Sequence, residues 1–317
     1  MNDITIIGAG VVDVLAGAVD EKIFLQDSTP INFIKLAFGG DALNEAVVLS
    51  RLGKRVQWVS NVGDDDAGRR ILDYATDNGL DISGVKVERG LETSVTVVLV
   101  DEHGERFFLT NPQGSMRKFN AADIIPHVDG MADIVCLASM FISHQLDIAA
   151  TEKIFKLIKS KPRVLAFDMK TPINGETLDD LAPMLAHADY FFPNEEELAT
   201  LTGDTDIKKN ISALLSHGLG CAVVKRGGDG CIIATPSTQI EIPACRVDKV
   251  IDTTGAGDCF AAGFLYALSE GWTLAECGRF ACAVASCSVE EVGATAGVTS
   301  LDKVMRRYKQ RNVKYAS

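Results

Sequence analysis

Asp252-Thr253-Thr254-Gly255-Ala256-Gly257-Asp258 runs directly into the apolar segment Cys259 to Leu268. Three small residues stand before a carboxylate, and Phe260, Phe264, Leu265 and Leu268 then recur at helical spacing. Small residues turn tightly and leave their N–H groups bare. A helix brings the positive end of its dipole to the same point. The combination is a site for an anion, most often phosphate. Asp258 adds a negative charge where that anion belongs, which makes sense if the carboxylate is a base. A hydroxyl would give its proton to Asp258 and attack a phosphorus whose oxygens rest on the N–H groups of Gly255, Ala256 and Gly257. The same residues also fit a plain glycine-rich helix start with an Asp near its N-cap, and this stretch alone does not separate the two readings.

The remaining composition narrows the class. A chain of 317 residues, 47% hydrophobic, buries a sizeable core in one large α/β domain or two average ones. Met1-Asn2-Asp3 leads into a short apolar run with no basic start, and no segment approaches the length of a membrane span. The net charge of −12 argues against a nucleic-acid surface. A cytoplasmic protein with an acidic surface and neither nucleic-acid nor membrane partners is expected. Its eight cysteines contain no Cys-x-x-Cys pair and lie among small or apolar residues, which fits reduced, structural thiols. The five histidines are scattered, so no transition-metal site is expected.

From about residue 121, strand-like runs at Ile134–Leu137, Val164–Phe167, Tyr190–Pro193, Cys221–Lys225 and Gly230–Ala234 alternate with helical segments such as Ala149–Lys159 and Ile207–His217. Ile4–Ile7 and Gln57–Val62 read as further strands, and Ala67–Asn78 as a helix. This alternation predicts a largely parallel sheet with crossover helices. Gly8-Ala9-Gly10 begins a dinucleotide fingerprint, but Asp13 stands in place of the third glycine. Asp13 is instead placed just beyond the carboxyl end of a strand, where α/β sheets bind ligands. Residues 14–38 lack helical periodicity, and 93–112 hold a hairpin with the loop Asp101-Glu102-His103-Gly104-Glu105. Together they predict a small lid that would keep water from a phosphoryl donor. With no linker and no repeat, one α/β unit of residues 1–317 carrying this lid is expected.

Gly39-Gly40-Asp41-Ala42-Leu43-Asn44 opens a second helix, which runs to Leu52 with Gly53 as its stop. Asp41 and Asn44 suit N-capping, and equally suit a polyol whose hydroxyls they bind while Gly39 and Gly40 let it approach the backbone. Asn194-Glu195-Glu196-Glu197 follows a strand end, which fits either magnesium held through water or an acidic helix start. Lys225-Arg226-Gly227-Gly228-Asp229-Gly230 fits either a nucleotide site or a glycine-rich hairpin.

These pieces, in this order and over nearly the whole chain, resemble the ribokinase-like (PfkB) family of carbohydrate and nucleoside kinases. Gly39-Gly40-x-Ala42-x-Asn44-x-Ala46 with Gly53 and Gly63 is similar to that family's N-terminal pattern. Asp252-Thr253-x-Gly255-Ala256-Gly257-Asp258 with Ala262-Gly263 is similar to its C-terminal pattern. The resemblance implies a Rossmann-like, mostly parallel sheet flanked by helices, with a β-sheet lid that often forms a homodimer. It implies an ATP-dependent sugar kinase using magnesium. Asp258 would be its base, Gly255, Ala256 and Gly257 its anion hole, and Asp13, Gly39, Gly40, Asp41 and Asn44 its sugar contacts. Asn194 and Glu197 would help place magnesium and phosphate, and Lys225, Gly227 and Gly230 would line the nucleotide. Potassium, bound by many members, would match Asp252, Thr254, Ser288, Glu291 and Gly293. Asp168-Met169-Lys170-Thr171-Pro172 lacks the Asn and Arg of ketodeoxygluconate kinases, and Thr110-Asn111-Pro112-Gln113 has no arginine either. A sugar acid calls for a guanidinium, so a neutral fructose- or ribose-like sugar is the expected acceptor. A nucleoside on the same fold and a non-catalytic sugar-binding regulator are the alternatives. Cys282 stands where ribokinases often place an Asn near adenine.

Overall fold

β1 (Ile4–Ile7) is four buried residues in the interior of a nine-stranded sheet in the computed structural model of the chain, which describes residues 2–103 and 105–312. Gly104 of the expected hairpin loop lies outside them. The other strands of this sheet are β4 (Val56–Gly63), β5 (Asp81–Glu88), β8 (Ile134–Met140), β9 (Val164–Met169), β10 (Tyr190–Phe191), β11 (Cys221–Lys225), β12 (Cys231–Thr235) and β13 (Thr238–Ile242). Their order is β13-β12-β11-β10-β9-β8-β1-β4-β5. All neighbours are parallel from β11 to β5, and β12 and β13 close the far edge antiparallel.

The chain builds outward from β1 to β4 and β5, then returns to β8 and builds the other way. That reversal opens a crevice at the carboxyl ends of β1 and β8, where such sheets take ligands. Both faces of the sheet are covered. Ile4 and Ile6 pack into one apolar cluster, Ile7 into the other, as expected of a buried parallel strand. The first cluster contains the helices Asp41–Arg51, Ala256–Ser269 and Leu274–Ser288, so the two glycine-led helix starts sit on the same side of the sheet. Gly263 permits this packing, because a Cβ there would lie 2.7 Å from Val284 Cγ2.

A second sheet has four strands in the order β3-β2-β6-β7: β2 (Val11–Val19), β3 (Phe33–Gly39), β6 (Val95–Asp101) and β7 (Arg106–Thr110). Asp13 lies inside β2, paired with Ala37 and Thr96, and not beyond a strand of the main sheet as expected. The chain leaves β1 and turns through Gly8-Ala9-Gly10 straight into the new strand, so the residues after the turn belong to the second sheet. β5 and β13 were not anticipated; edge strands mix polar with apolar residues and lose the clean pattern of buried ones. Among the described residues, no helix is long and apolar enough to cross a membrane. All eight cysteines are buried and none forms a disulfide.

Candidate active site

Gly255 caps the Ala256–Ser269 helix with φ 68°, and a Cβ at this position would stand 2.6 Å from Ala294 Cβ. Backbone conformation and space both demand glycine there. Ala256 N–H donates to Thr253 O at 3.2 Å and closes the turn, so the helix start presents chiefly the N–H groups of Gly255 and Gly257. Asp258 follows in the first helical turn, buried, and its Oδ2 accepts from Asn44 Nδ2 at 2.7 Å. Burial and the neighbouring Asp41 raise the Asp258 carboxyl to about 6, against the pull of Lys170, Asn44 and Lys225. Asn44 was expected to bind sugar. It borders the cavity and gives one N–H of its amide to Asp258.

The second helix start faces the first. Gly40 precedes it with φ 93°, its would-be Cβ 2.6 Å from Ala9 O. Asp41, the first helical residue, forms an ion pair with Lys170 Nζ at 2.9 Å and also bonds the Ser139 hydroxyl. Burial alone would raise the Asp41 carboxyl, but Lys170, Ser139 and Lys225 hold it below the usual range. Asp13 comes from the small sheet; burial lifts it to about 6 although Arg106 pulls the other way. Gly39 packs its bare Cα against that carboxylate.

Lys225, at the end of β11, is half-buried and pairs with Asp168 Oδ2 at 2.6 Å. Burial disfavours its charge, but Asp168, Glu197 and Asp258 raise its pKa overall. Its ammonium lies 3.4 Å from where a Cβ on Gly257 would be, beside the helix start. Asn194 caps the Glu195–Thr202 helix in a reciprocal box with Glu197, each side chain accepting from the other's N–H at 2.8 Å. The stretch is thus an acidic helix start, one of the two readings it allowed. It leaves Glu197 Oε1 for a magnesium-bound water, and both residues border the cavity. Gly227 has open space around it, whereas Gly230 is glycine because β13 crosses against it at Ile242.

One cavity of about 990 Å3 joins all these groups. It runs from Asp13, Thr96 and Phe108 under the small sheet, past Asp258, to Gly227, Val250 and Cys282 at the other end. Of the five positions matched to potassium, only Thr254 borders it. Asp252 Oδ1 accepts from Thr254 N at 2.9 Å and Oδ2 from Gly293 N at 2.8 Å, while Arg106 Nη2 stands 2.7 Å from Oδ1. Ser288 donates to Ala285 O. With Arg106 balancing its one buried carboxylate, this set does not fit a potassium ion. Sequence reasoning missed Asp168, Lys170, Ser139 and Arg106. Asp168 and Ser139 follow the rule applied to Asp13, as residues at the carboxyl ends of β9 and β8.

Residues 1–301 match the model of the pfkB family carbohydrate kinases. The chain is 31% identical to an uncharacterized sugar kinase of Archaeoglobus fulgidus over 252 residues, 79% of this chain and 97% of that one. It is 29% identical to a nucleoside kinase of Methanothermobacter thermautotrophicus over 291 residues, 92% and 90% of the two chains. The fold matches that of a putative ribokinase II from E. coli in complex with ATP and Mg2+, with a TM-score of 0.83, 24% identity, and coverage of 98% of this chain and 100% of that one. The chain thus belongs to the pfkB family of carbohydrate kinases, phosphotransferases whose acceptor is an alcohol group.

Proposed function

We propose that the chain transfers the γ-phosphoryl group of ATP to a hydroxyl of a neutral, fructose- or ribose-like sugar, with Asp258 as the base. The observation that carries this reading is the Asn44–Asp258 hydrogen bond of 2.7 Å in the first turn of a helix whose glycine start faces the cavity. The acceptor hydroxyl gives its proton to Asp258 while its oxygen attacks the γ-phosphorus in line. The bond to the β–γ bridging oxygen breaks, and ADP leaves. The N–H groups at the helix start and the Lys225 ammonium meet the charge on the transferring group. When bound, magnesium would neutralise phosphate charge from water-mediated positions at Asn194 and Glu197; the Mg2+–ATP of the E. coli neighbour supports its use. Gly227, Gly230 and the apolar stretch to Val250 and Cys282 hold the nucleotide.

Asp13, Gly39, Gly40 and Asp41 hold the sugar. Of the cations on that side, Lys170 is paired with Asp41 and Arg106 with Asp252, while Arg117 donates to Ile142 O at 2.8 Å. This supports a neutral acceptor over a sugar acid. A nucleoside is the second reading, and one feature favours it. Ala9, Val11, Met116 and Ile142 form an apolar wall that with Phe108 borders the cavity near Asp13, a surface suited to a flat ring. A non-catalytic regulator would have no use for a buried base.

The small sheet, with strands at 11–19, 33–39, 95–101 and 106–110, serves as the lid of a single kinase unit. Strand alternation puts Ile34, Leu36, Phe107 and Leu109 on its outer face, each more than half exposed. A second copy of the chain covers that face, giving a homodimer through the lid. The acidic charge speaks against nucleic-acid partners and the disulfide-free cysteines for the cytoplasm.

The test is ADP release from Mg2+–ATP across hexoses, pentoses, sugar acids and nucleosides. One neutral sugar raising turnover well above the ATP-only background is the expected result. A nucleoside doing so would replace the acceptor, and binding without turnover would move the chain to the regulator reading.

A further inference from the structure

Arg106 opens β7 at the edge of the small sheet, far in sequence from both glycine-aspartate helix starts. Its guanidinium reaches across to the main body and pairs with Asp252 at 2.7 Å, with the side chains 23% and 3% exposed respectively. This is a link between the lid and the loop leading into the anion hole. Asp252 ties down two segments at once, through the N–H groups of Thr254 and Gly293. Thr254 immediately precedes Gly255, and Ala294, the neighbour of Gly293, is the residue against which Gly255 packs. The carboxylate therefore sets the spacing of both walls of the glycine turn. The Arg106 guanidinium supplies the positive charge that faces this buried carboxylate.

Sheet geometry makes that cation conditional. β6 and β7 pair Thr96 with Thr110, Val98 with Phe108, and Val100 with Arg106, so Arg106 shares a face with Phe108, Thr110, Thr96 and Asp13. That face borders the cavity. A sugar bound under Asp13 and a guanidinium seated on Asp252 therefore require the same position of the sheet.

We propose that Arg106 is a positioning residue that completes the anion hole only when the lid is down, supplying from within the chain the positive charge on Asp252 that a monovalent cation would otherwise supply. The proposal rests on the kinase reading. Acceptor binding, lid closure and a correctly spaced anion hole then become one event, which restrains ATP hydrolysis in the absence of acceptor. Turnover of the natural chain does not depend on potassium.

The test compares the natural chain with Arg106→Gln and Arg106→Lys, each in tetramethylammonium and in potassium buffers. The natural chain is expected to show the same kcat in both. Arg106→Gln should lose about tenfold to a hundredfold in kcat without potassium, with a smaller change in acceptor KM, as follows from a misplaced rather than missing contact. Potassium should restore part of that loss and raise the thermal midpoint of Arg106→Gln but not of the natural chain. Arg106→Lys, which keeps the charge, should fall between. In a double-mutant cycle, Arg106→Gln should cost little in an Asp252→Asn background. A natural chain that already requires potassium, an Arg106→Gln variant with unchanged kcat, or additive effects of the two substitutions would each overturn the proposal. Failure of the kinase reading itself shows separately, as absence of turnover by the natural chain with any acceptor.

Discussion

Two helices of this molecule begin alike and end up in different electrostatic states. Each follows a glycine at positive φ, each carries an aspartate in its first turn, and both aspartates border one cavity, Asp258 buried and Asp41 half-buried. Asp41 meets an ammonium, Lys170, at 2.9 Å and is held below the usual carboxylate range. Asp258 meets a neutral amide, Asn44, at 2.7 Å and is raised to about 6. The partner decides the task. A carboxylate fixed as an anion by an ion pair is a good acceptor of substrate hydrogen bonds and a poor proton acceptor. One held in position by an amide, with its basicity raised by burial, can do both.

The most severe way to break this contrast is Asp258→Asn. It keeps the shape and the bond to Asn44 but cannot take a proton. We expect kcat to fall by about 10^3, with acceptor affinity by calorimetry within about threefold of the natural chain. Near-normal turnover would remove Asp258 from its role. Next comes Gly255→Ala, whose new methyl group collides with Ala294 and shifts the N–H groups that receive the phosphoryl charge. About a hundredfold loss in kcat is expected, with ATP binding less affected. Asn44→Leu leaves Asp258 without its amide, and a loss of about tenfold in kcat should follow, together with a basic shift of the pH profile because one contact that lowers the Asp258 pKa is gone. Asp41→Asn should do the converse: acceptor KM rises about tenfold and kcat changes less. If Asp41→Asn instead lowers kcat at unchanged KM, the two aspartates share the chemistry and the contrast fails.

What the sequence disclosed follows the range of each interaction. The glycine-carboxylate helix starts are local patterns, so Gly39-Gly40-Asp41 and Gly255-Ala256-Gly257-Asp258 were readable before any coordinates. The buried strands β1, β4, β8, β9 and β11 were readable for the same reason. The ion pairs that set the charges were not. Lys170–Asp41, Lys225–Asp168 and Arg106–Asp252 join residues brought together only by the reversal of strand order and by the placement of the small sheet. Asp168-Met169-Lys170 was read for the arginine it lacks, when its content is two charged groups, one paired with each side of the site. Asp13 was placed in the right cavity by the wrong route, since it comes from the small sheet and not from the end of β1.

The pH dependence of kcat at saturating sugar and ATP tests the central claim most directly, because it separates the two aspartates in the intact enzyme. Asp13, also lifted to about 6, is controlled by running Asp13→Asn alongside. The account predicts that kcat falls as the pH drops through about 6, in the natural chain and in Asp13→Asn alike, because Asp258 is protonated there while Asp41 stays ionised. A kcat that stays level from about pH 7 to about pH 5, or an inflection that disappears in Asp13→Asn, would contradict the assignment of Asp258 as the base.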